Sequence, residues 1–203
     1  MKIICVGRNY SDHVKELNNA IPEEPVIFIK PDSAVLRNNS PFFIPEFSND
    51  VHHEVELVVK ICKAGKSIPE AFANDYYQEI GLGIDFTARD LQTNLKQKGL
   101  PWEKAKGFDH SAVIGAFYPK SDLPQSVLHF ELYKNGVAVQ SGKSSDMMNS
   151  IPQIIAHVSK FFTLKIGDLI FTGTPSGVGP VKEGDILEGK IEGKTSFKFS
   201  VKQ

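Results

Sequence analysis

Residues 51–61 constrain the fold most, because polar and apolar side chains alternate along most of this run with a period of two. That period belongs to a β-strand, whose successive side chains point to opposite faces. The strand would carry His53, and the apolar residues that follow it at every second position, on one face. It would carry His52, Glu54 and Glu56 on the other face.

Three carboxylates in this part of the chain predict a metal site. Glu54 and Glu56 are about 6.5–7 Å apart along one side of the strand, so their side chains can converge on one small cation. Asp85 ends the apolar run of residues 80–85. A carboxylate buried in a core is costly unless it is paired or bound to a metal. Three oxygen donors favour Mg²⁺ or Mn²⁺ over zinc.

Each of these carboxylates also has an ordinary interpretation. Glutamates that alternate along a strand usually face solvent. Asp85 is equally suited to capping the next helix or to pairing with an arginine. Side chains that point apart, or a lysine that fills the gap between them, would overturn the metal site. The metal site therefore needs support from the rest of the chain.

Length and composition predict one large soluble domain. The chain has 203 residues and a formal net charge of -1, which gives no general attraction to nucleic acid or to anionic membranes. No apolar run approaches the roughly 20 residues of a membrane span, and the opening apolar stretch is too short for a signal peptide. Cys5 and Cys62 lie in apolar runs typical of buried free thiols. We therefore expect a cytoplasmic protein that binds neither nucleic acid nor membrane.

Short strand-like runs dominate the chain, and amphipathic helical stripes are few. Strands are predicted at residues 2–6, 26–30, 55–61, 80–85, 128–133, 137–141, 169–172, 186–191 and 196–202. An Asn-Gly dipeptide at positions 135–136 predicts a tight hairpin turn. Helices are predicted over residues 69–79, from the capping-box pattern Thr87-Ala-Arg-Asp90, and over residues 151–162. Strands with helices placed between them predict a β-rich α+β fold.

A short helix after the first strand carries a candidate acid/base pair. His13 and Glu16 are neighbours at helical spacing, and a carboxylate beside an imidazole orients it and raises its basicity, which suits a base that activates water. The alternative is an exposed surface pair. The polar loop that follows predicts a mobile lid over residues 11–25 that closes on substrate.

Polar residues near Asp85 and in a glycine-rich loop add candidates for substrate binding. Arg89 and Gln92 would project from the first turns of the helix after Asp85, where an arginine can grip a carboxylate with two hydrogen bonds. Lys106 matters only by association, since lysines mostly lie on the surface. Residues 171–179 are glycine-rich but lack the P-loop and dinucleotide signatures. Their backbone N–H groups, with the Thr174 hydroxyl, could approach an anion.

Six segments together resemble the fumarylacetoacetate hydrolase superfamily, in particular its short acylpyruvase and oxaloacetate decarboxylase branch. In chain order they are Gly7-Arg-Asn-Tyr-Ser-Asp-His13, Pro25-Val-Ile-Phe-Ile-Lys-Pro31, His53-Glu-Val-Glu-Leu57, Asp85-Phe-Thr-Ala-Arg-Asp-Leu-Gln92, Lys106-Gly-Phe-Asp109 and Gly167-Asp-Leu-Ile-Phe-Thr-Gly-Thr-Pro-Ser-Gly-Val-Gly179. No single segment is specific, but together they follow the family's order through nearly the whole chain.

The resemblance implies a sandwich-like β-roll with a few short helices, one catalytic domain over residues 1–203, and a homodimer. It implies Mg²⁺ or Mn²⁺ as the cofactor and a small 2-oxo acid as the substrate. Thr174 would hold the substrate carboxylate. The implied site residues are the metal ligands Glu54, Glu56 and Asp85, the catalytic residues His13, Glu16 and Lys106, and the substrate-binding residues Arg8, Arg89, Gln92 and Thr174.

The implied reaction is metal-dependent cleavage of a C–C bond next to a 2-oxo acid, through an enolate that the metal stabilises as a Lewis acid. For a 3-acylpyruvate, His13 oriented by Glu16 would activate the water that attacks the distal carbonyl, giving pyruvate and a carboxylate. Lys106 would hold negative charge on the pyruvate enolate. Decarboxylation of oxaloacetate needs no water and gives the same enolate. Keto–enol isomerisation, or isomerisation of 2-hydroxyhepta-2,4-diene-1,7-dioate type, is a further alternative on the same site.

Two other classes of function stay open at this point. His52-x-Glu54 with a distant histidine imitates the iron site of two-histidine, one-carboxylate oxygenases; that histidine would be His110, His129 or His157. The chain could also be a non-catalytic interaction domain. Iron content with O₂ dependence would favour the oxygenase. A panel of 2-oxo acids assayed with Mg²⁺ and Mn²⁺ would separate an enzyme from an interaction domain.

Overall fold

The computed structural model describes residues 1–17, 20–37 and 39–203. Asn18 and Asn19 of the predicted lid, and also Asn38, lie outside the described residues. The α-helices are α1 Ser11–Glu16, α2 Arg89–Gln97, α3 Glu103–Lys106 and α4 Ile151–Phe161. Short 3-10 helices span Asp32–Ala34, Glu70–Tyr76, Lys120–Asp122 and Ser144–Asp146. The strands are β1 Ile3–Gly7, β2 Val26–Lys30, β3 Val35–Leu36, β4 Phe42–Phe43, β5 Val51–His53, β6 Val55–Ile61, β7 Tyr77–Asp85, β8 Thr87–Ala88, β9 Ala112–Pro119, β10 His129–Lys134, β11 Val137–Lys143, β12 Leu169–Phe171, β13 Gly179–Pro180, β14 Ile186–Ile191 and β15 Lys194–Lys202.

The strand β6 lies at the centre of a seven-stranded mixed sheet with the order β2-β1-β12-β6-β7-β9-β3. It pairs antiparallel with β12 on one side and with β7 on the other. Both faces of this strand are covered, so Val55 through Val59 are all buried. This explains why apolar Val58 interrupts the alternation, as expected for a strand without a solvent face.

A five-stranded sheet with the order β11-β10-β14-β15-β4 covers one face of the first sheet. Its strands β10, β14 and β15 contact β6, β7 and β9 across the core. Leu57 and Leu82 from the first sheet meet Phe130 and Phe197 from the second in one cluster of buried side chains. Each such side chain contributes roughly 1.5–3 kcal/mol when it is fully buried, so this layer is the main source of stability. A three-stranded sheet, β13-β5-β8, lies near the acidic residues.

The helix α4 begins at Ile151 because the residue before it caps the first turn. Ser150 Oγ accepts from the backbone N–H of Gln153 at 3.4 Å, and the side chain of Gln153 accepts from the backbone N–H of Ser150 at 2.8 Å. This reciprocal pair is a capping box. Pro152 stands in the first turn, where its missing N–H would have no partner within the helix. The prediction of a helix over residues 151–162 is confirmed to within one residue.

The prediction of a helix over residues 69–79 is wrong in type and in length. Only Glu70–Tyr76 is helical, as a 3-10 helix, and residues 77–79 begin the strand β7. The reason is pairing with the central strand, because Tyr77 lies opposite Ile61 and Glu79 lies opposite Lys60. The short apolar pattern of this segment did not distinguish a helix from the start of a buried strand.

The predicted capping box at Thr87 is also wrong. The helix α2 begins at Arg89 without a side-chain cap, and Thr87 lies in β8, opposite His52. Asp90 accepts hydrogen bonds from Ser48 Oγ at 2.7 Å and from a neighbouring backbone N–H. Its carboxylate therefore joins α2 to the segment before β5 and does not complete a cap.

Other expectations about the fold hold. The hairpin between β10 and β11 turns at Asn135 and Gly136, with positive φ values of 55° and 81° that a type I′ turn requires. Cys5 is buried as expected. The expectation of a buried Cys62 is wrong, because β6 ends at Ile61 and Cys62 lies beyond the strand, exposed. None of the helices described is long and apolar enough to cross a bilayer. The strand-rich, sandwich-like arrangement confirms the predicted β-rich α+β class.

Candidate metal centre and active site

The ends of two neighbouring strands bring three acidic side chains together. Val55 pairs with Ile84, so Glu54 and Asp85 lie side by side, and the N–H of Asp85 donates to the carbonyl of Glu54 at 2.9 Å. Glu56 follows two positions along the same strand. One oxygen from each carboxylate lies within 4.8 Å of the others, and each residue is at most 5% exposed. The structure therefore brings together the three carboxylates that the alternation singled out.

Three cationic side chains contact two of these carboxylates. Lys106 Nζ donates to Glu54 Oε2 at 2.8 Å and to Asp85 Oδ2 at 2.6 Å. Arg89 donates to the other oxygen of Glu54. Lys30 Nζ lies 2.7 Å from Asp85 Oδ1, as a fully buried ion pair. Lys106, which the family resemblance implies as a catalytic residue although lysines mostly lie on the surface, is buried at the centre of the site.

The two glutamates have opposite protonation preferences. Burial raises the pKa of Glu54, but the positive charges of Lys106 and of the adjacent arginine outweigh burial and hold this pKa far below its usual range. Burial, followed by the charges of Asp85 and Glu54, raises the pKa of Glu56 well above its usual value. Glu56 accepts one hydrogen bond, from the backbone N–H of Gly173 at 2.7 Å. Glu54 therefore favours its ionised form, and Glu56 favours its protonated form more than an exposed glutamate does.

The three residues fit a divalent cation in donor chemistry and in charge. All are hard oxygen donors, although Asp85 Oδ1 is already paired with Lys30 Nζ at 2.7 Å. A lysine that filled the gap between all three carboxylates would overturn the metal site. Lys106 partly meets this condition, because it lies between Glu54 and Asp85. It does not extend to Glu56, which forms no ion pair within the described part of the chain. A cation would compete with Lys106 for two ligands and with protonation for the third.

Lys30 is a site residue that the sequence analysis missed. Its side chain is fully buried, and Nζ donates to the carbonyls of Phe86 at 3.3 Å and Ser111 at 3.1 Å, as well as to the carbonyl of Lys106. The signal was present, because this lysine ends the apolar run of residues 26–30. Lysines are almost never fully buried unless they are paired, so its position alone would have predicted an acidic partner.

The helix α1 carries the predicted acid/base pair. His13 Nδ1 lies 3.1 Å from Glu16 Oε2. His13 is only 6% exposed whereas Glu16 is exposed, so the pair joins a buried imidazole to a carboxylate at the surface. The second oxygen of Glu16 accepts from the N–H of Gly177 at 3.0 Å, which joins α1 to the glycine-rich loop. Because a carboxylate only accepts, neutral His13 carries its proton on Nδ1 and keeps a lone pair on Nε2.

The glycine-rich loop of residues 171–179 donates its backbone N–H groups to carboxylates of the protein itself, Gly173 to Glu56 and Gly177 to Glu16. Gly173 has a φ of +101°, and a Cβ there would lie 2.7 Å from the Cβ of Asn9, so this position requires glycine. The loop thereby links the candidate metal ligands to the candidate acid/base pair.

One pocket contains every predicted site residue except Glu16, which reaches it through His13. Arg89 is held there by a hydrogen bond from Nη1 to Gln92 Oε1 at 2.6 Å. The cavity measures about 40 Å³, close to the size of a water molecule, so a 2-oxo acid requires side chains to move. A cavity of about 390 Å³, whose lining includes Lys60, Phe117 and Leu169, contains no predicted site residue. The lining residues of the small pocket include Arg8, His13, Glu54, Glu56, Asp85, Arg89, Gln92, Lys106 and Thr174.

The described residues do not support the alternative iron site. The three carboxylates form the only group of three or more His, Cys, Asp or Glu side chains there that could reach one ion, and it contains no histidine. His52 Nε2 lies 2.9 Å from Asp50 Oδ1. His53, which the sequence analysis left without a role, contacts Gln140.

Comparison with known proteins agrees with this geometry. The family described as Fumarylacetoacetate (FAA) hydrolase C-terminal matches residues 2–202. The chain belongs to the fumarylacetoacetate hydrolase family. It is 50% identical over 202 residues to the mitochondrial oxaloacetate tautomerase FAHD1 of Mus musculus, covering 99% of this chain and 91% of the relative. It is 44% identical to the oxaloacetate tautomerase YcgM of Escherichia coli, covering 95% and 89%.

A solved structure extends the likeness from sequence to fold. The fumarylpyruvate hydrolase of Pseudomonas aeruginosa, crystallised with Mn²⁺ and pyruvate, superposes with a TM-score of 0.93 at 35% sequence identity. The superposition covers 100% of this chain and 89% of that one. The family and the fold implied by the six sequence segments are thus confirmed.

Proposed function

We propose that this chain is a divalent-metal-dependent enzyme that interconverts the keto and enol forms of oxaloacetate. The observation that carries the proposal is the group of three buried carboxylates that shares one pocket with Lys106 and His13. The names of relatives at 50% and 44% identity support the choice of oxaloacetate. The likeness to a hydrolase crystallised with Mn²⁺ and pyruvate supports a divalent metal and a 2-oxo acid.

Glu54, Glu56 and Asp85 would hold the metal, which we take to be Mg²⁺ or Mn²⁺. When bound, such an ion supplies Lewis-acid stabilisation of negative charge on a substrate oxygen. The buried charge of Lys106 would assist at the same oxygen, because electrostatic interactions are strong in a site that excludes water. Arg8, Arg89, Gln92 and Thr174 line the pocket and would hold the carboxylates; among them, Arg89 must exchange its bond to Glu54 for one to substrate.

His13 would move the proton. Its Nε2, the nitrogen that Glu16 does not engage, would take a proton from C3 of the keto form, and the oxygen on C2 would then receive one. The reverse sequence returns the enol to the keto form, so no atoms are lost. Glu16 would orient the ring and stabilise its charged form, as an adjacent carboxylate does.

A spectrophotometric assay tests the proposal, because the conjugated enol of oxaloacetate absorbs in the ultraviolet and the keto form does not. We expect the chain to accelerate loss of this absorbance with Mg²⁺ or Mn²⁺ and to lose the acceleration in EDTA. Glu56→Gln keeps an acceptor for Gly173 and should lower the rate at least about 100-fold. The matched substitution Glu46→Gln changes an exposed glutamate and should leave the rate unchanged. Acceleration that survives both EDTA and Glu56→Gln would contradict the proposal.

Hydrolysis of a 3-acylpyruvate to pyruvate and a carboxylate is the second candidate, and the contact between His13 and Glu16 favours it. The same pair suits activation of water. Decarboxylation of oxaloacetate, a third activity of the same site, consumes no water. His13→Ala should therefore lower acylpyruvate hydrolysis more than decarboxylation. Equal losses on both substrates would exclude His13 as the base that activates water.

Three further expectations belong to this proposal. We propose that residues 1–203 form one catalytic domain and that a lid near residues 11–25 closes on the substrate. We propose a homodimer, which light scattering of the purified protein would test. The cytoplasmic location stays a prediction.

A further inference from the structure

Gln140 belongs to none of the predicted groups of site residues, yet it contacts one of them. It lies on β11 of the five-stranded sheet and is 2% exposed. Its Nε2 donates to Thr174 Oγ1 at 2.9 Å. A buried amide that reaches from the second sheet into the candidate active site calls for a physical explanation.

Two hydrogen-bond partners fix the orientation of the Gln140 amide, because one of them can only donate and the other can only accept. The backbone N–H of Val55 can only donate, and it lies 3.1 Å from Oε1. The carbonyl of Pro175 can only accept, and it lies 3.0 Å from Nε2. His53 Nδ1 lies 3.0 Å from Oε1 and must therefore carry the ring proton. The two acceptor positions and the two donor hydrogens of the amide are then all in use.

This arrangement leaves one role for the proton of the Thr174 hydroxyl. Oγ1 accepts from Gln140 and cannot donate back to an amide N–H. No hydrogen bond from Thr174 to an acceptor is found among residues 1–17, 20–37 and 39–203. The side chain is 3% exposed and lines the pocket that holds the three carboxylates. Its proton is therefore available to an anion in that pocket.

We infer that Gln140 is a positioning residue that directs the Thr174 hydroxyl to donate a hydrogen bond to a carboxylate of the substrate. The inference rests on the proposed function, which supplies that carboxylate. Gln140 also holds the N–H of Val55, which lies between the candidate ligands Glu54 and Glu56. A single amide thus sets both the metal-binding strand and the donor for the substrate.

The experiment uses the full chain with Mn²⁺ and pyruvate as the probe. Gln140→Glu keeps an acceptor for Val55 and His53 but removes both donors, so Thr174 can turn its proton to the new carboxylate. We expect the Kd of pyruvate and the KM of oxaloacetate to rise about 10-fold, the loss of one hydrogen bond to a charged group, with kcat within about twofold. Gln78→Glu, the same substitution at an exposed position of β7, should change neither value.

A double-mutant cycle separates positioning from a general structural effect. With Thr174→Val already present, Gln140→Glu should change the Kd of pyruvate less than about twofold, because the hydroxyl it controls is gone. Thr174→Ser should bind pyruvate as the unaltered protein does. The affinity for Mn²⁺ alone should be equal in all of these variants. Additive losses in the cycle, or a fall in kcat at constant KM, would overturn the inference.

The carboxylate that Gln140→Glu introduces into the core could prevent folding. Two other measurements test the inference in that case. Gln140→Met removes every hydrogen bond of the amide without adding charge and should show the same dependence on Thr174. Nitrogen NMR of the unaltered protein should show the His53 proton on Nδ1, and a proton on Nε2 would overturn the donor assignment. If the unaltered protein does not bind pyruvate, the proposed function fails instead, and the His53 tautomer still decides the orientation of the amide.

Discussion

The substitution Lys30→Met tests whether the charges beside Asp85 stabilise the fold. Methionine keeps most of the aliphatic length of the side chain and removes only the ammonium group. Nζ lies 2.7 Å from Asp85 Oδ1 and donates to the carbonyls of Phe86 and Ser111 at 3.3 and 3.1 Å. The substitution therefore removes one of two positive charges from a buried carboxylate and three hydrogen bonds from buried carbonyls, those of Phe86, Lys106 and Ser111.

The size of the effect follows from these contacts. Removing one partner of a buried ion pair costs about 3–5 kcal/mol. An orphaned buried carbonyl adds roughly 1–3 kcal/mol, and Phe86 is the carbonyl left in that state. The carbonyl of Lys106 keeps a hydrogen bond from Ser111 Oγ at 2.9 Å and adds little. We expect the free energy of unfolding to fall by at least about 4 kcal/mol, a large part of the roughly 5–15 kcal/mol typical of a domain.

Urea denaturation at pH 7 in the absence of metal measures this loss as a lower midpoint at constant m. Lys60→Met is the matched control, because Lys60 lies 2.8 Å from Glu79 in a pair whose side chains are 44% and 41% exposed. Such a pair contributes at most about 1 kcal/mol. A Lys30→Met loss no larger than that of the control would refute the reasoning.

Two further predictions concern stability away from the site. Ser150→Ala should lower the free energy of unfolding by about 1 kcal/mol, because it removes the cap of α4; an unchanged urea midpoint would show that the cap contributes nothing. Burial raises the pKa of Asp168, but hydrogen bonds from Lys2 and from the N–H of Lys165 outweigh burial and leave this pKa below its ordinary value of 3.8. The folded state therefore binds this proton less readily than the unfolded state, so the stabilisation is present above pH 3.8 and is lost as the pH falls through the lower folded pKa. Asp168→Asn should destabilise the protein at pH 7 and flatten the acid limb of its stability curve, and a limb as steep as that of the unaltered protein would count against this assignment.

Local periodicity predicted much of the fold. The strands β2 and β14 have the predicted bounds, and α4 differs by one residue. These elements are amphipathic or apolar runs, and the local sequence of each run shows where the element begins and ends. Residues 77–79 were mistaken for the end of a helix because their strand conformation depends on pairing with β6, which no local pattern reports.

Some features of the candidate site also follow from local sequence, and others depend on tertiary packing. The shared face of Glu54 and Glu56 follows from alternation alone. The arrival of Lys106, 52 residues away from Glu54 along the chain, depends on tertiary packing and could not be read from spacing. The strongly raised pKa of Glu56 has the same origin, because it reflects burial first and then the charges of Asp85 and Glu54. Gln140 reaches the site from the other sheet, so its role is visible only in the folded structure.

Calorimetric titration of the metal-free protein with Mn²⁺ tests the central claim most directly. We expect one ion per chain and binding that weakens as the pH falls, because protons compete with the metal for the three carboxylates. Glu56→Gln should abolish binding, whereas Glu46→Gln at an exposed position should leave it intact. An absence of Mn²⁺ binding by the unaltered protein, or undiminished binding by Glu56→Gln, would contradict the claim that these three carboxylates hold the metal.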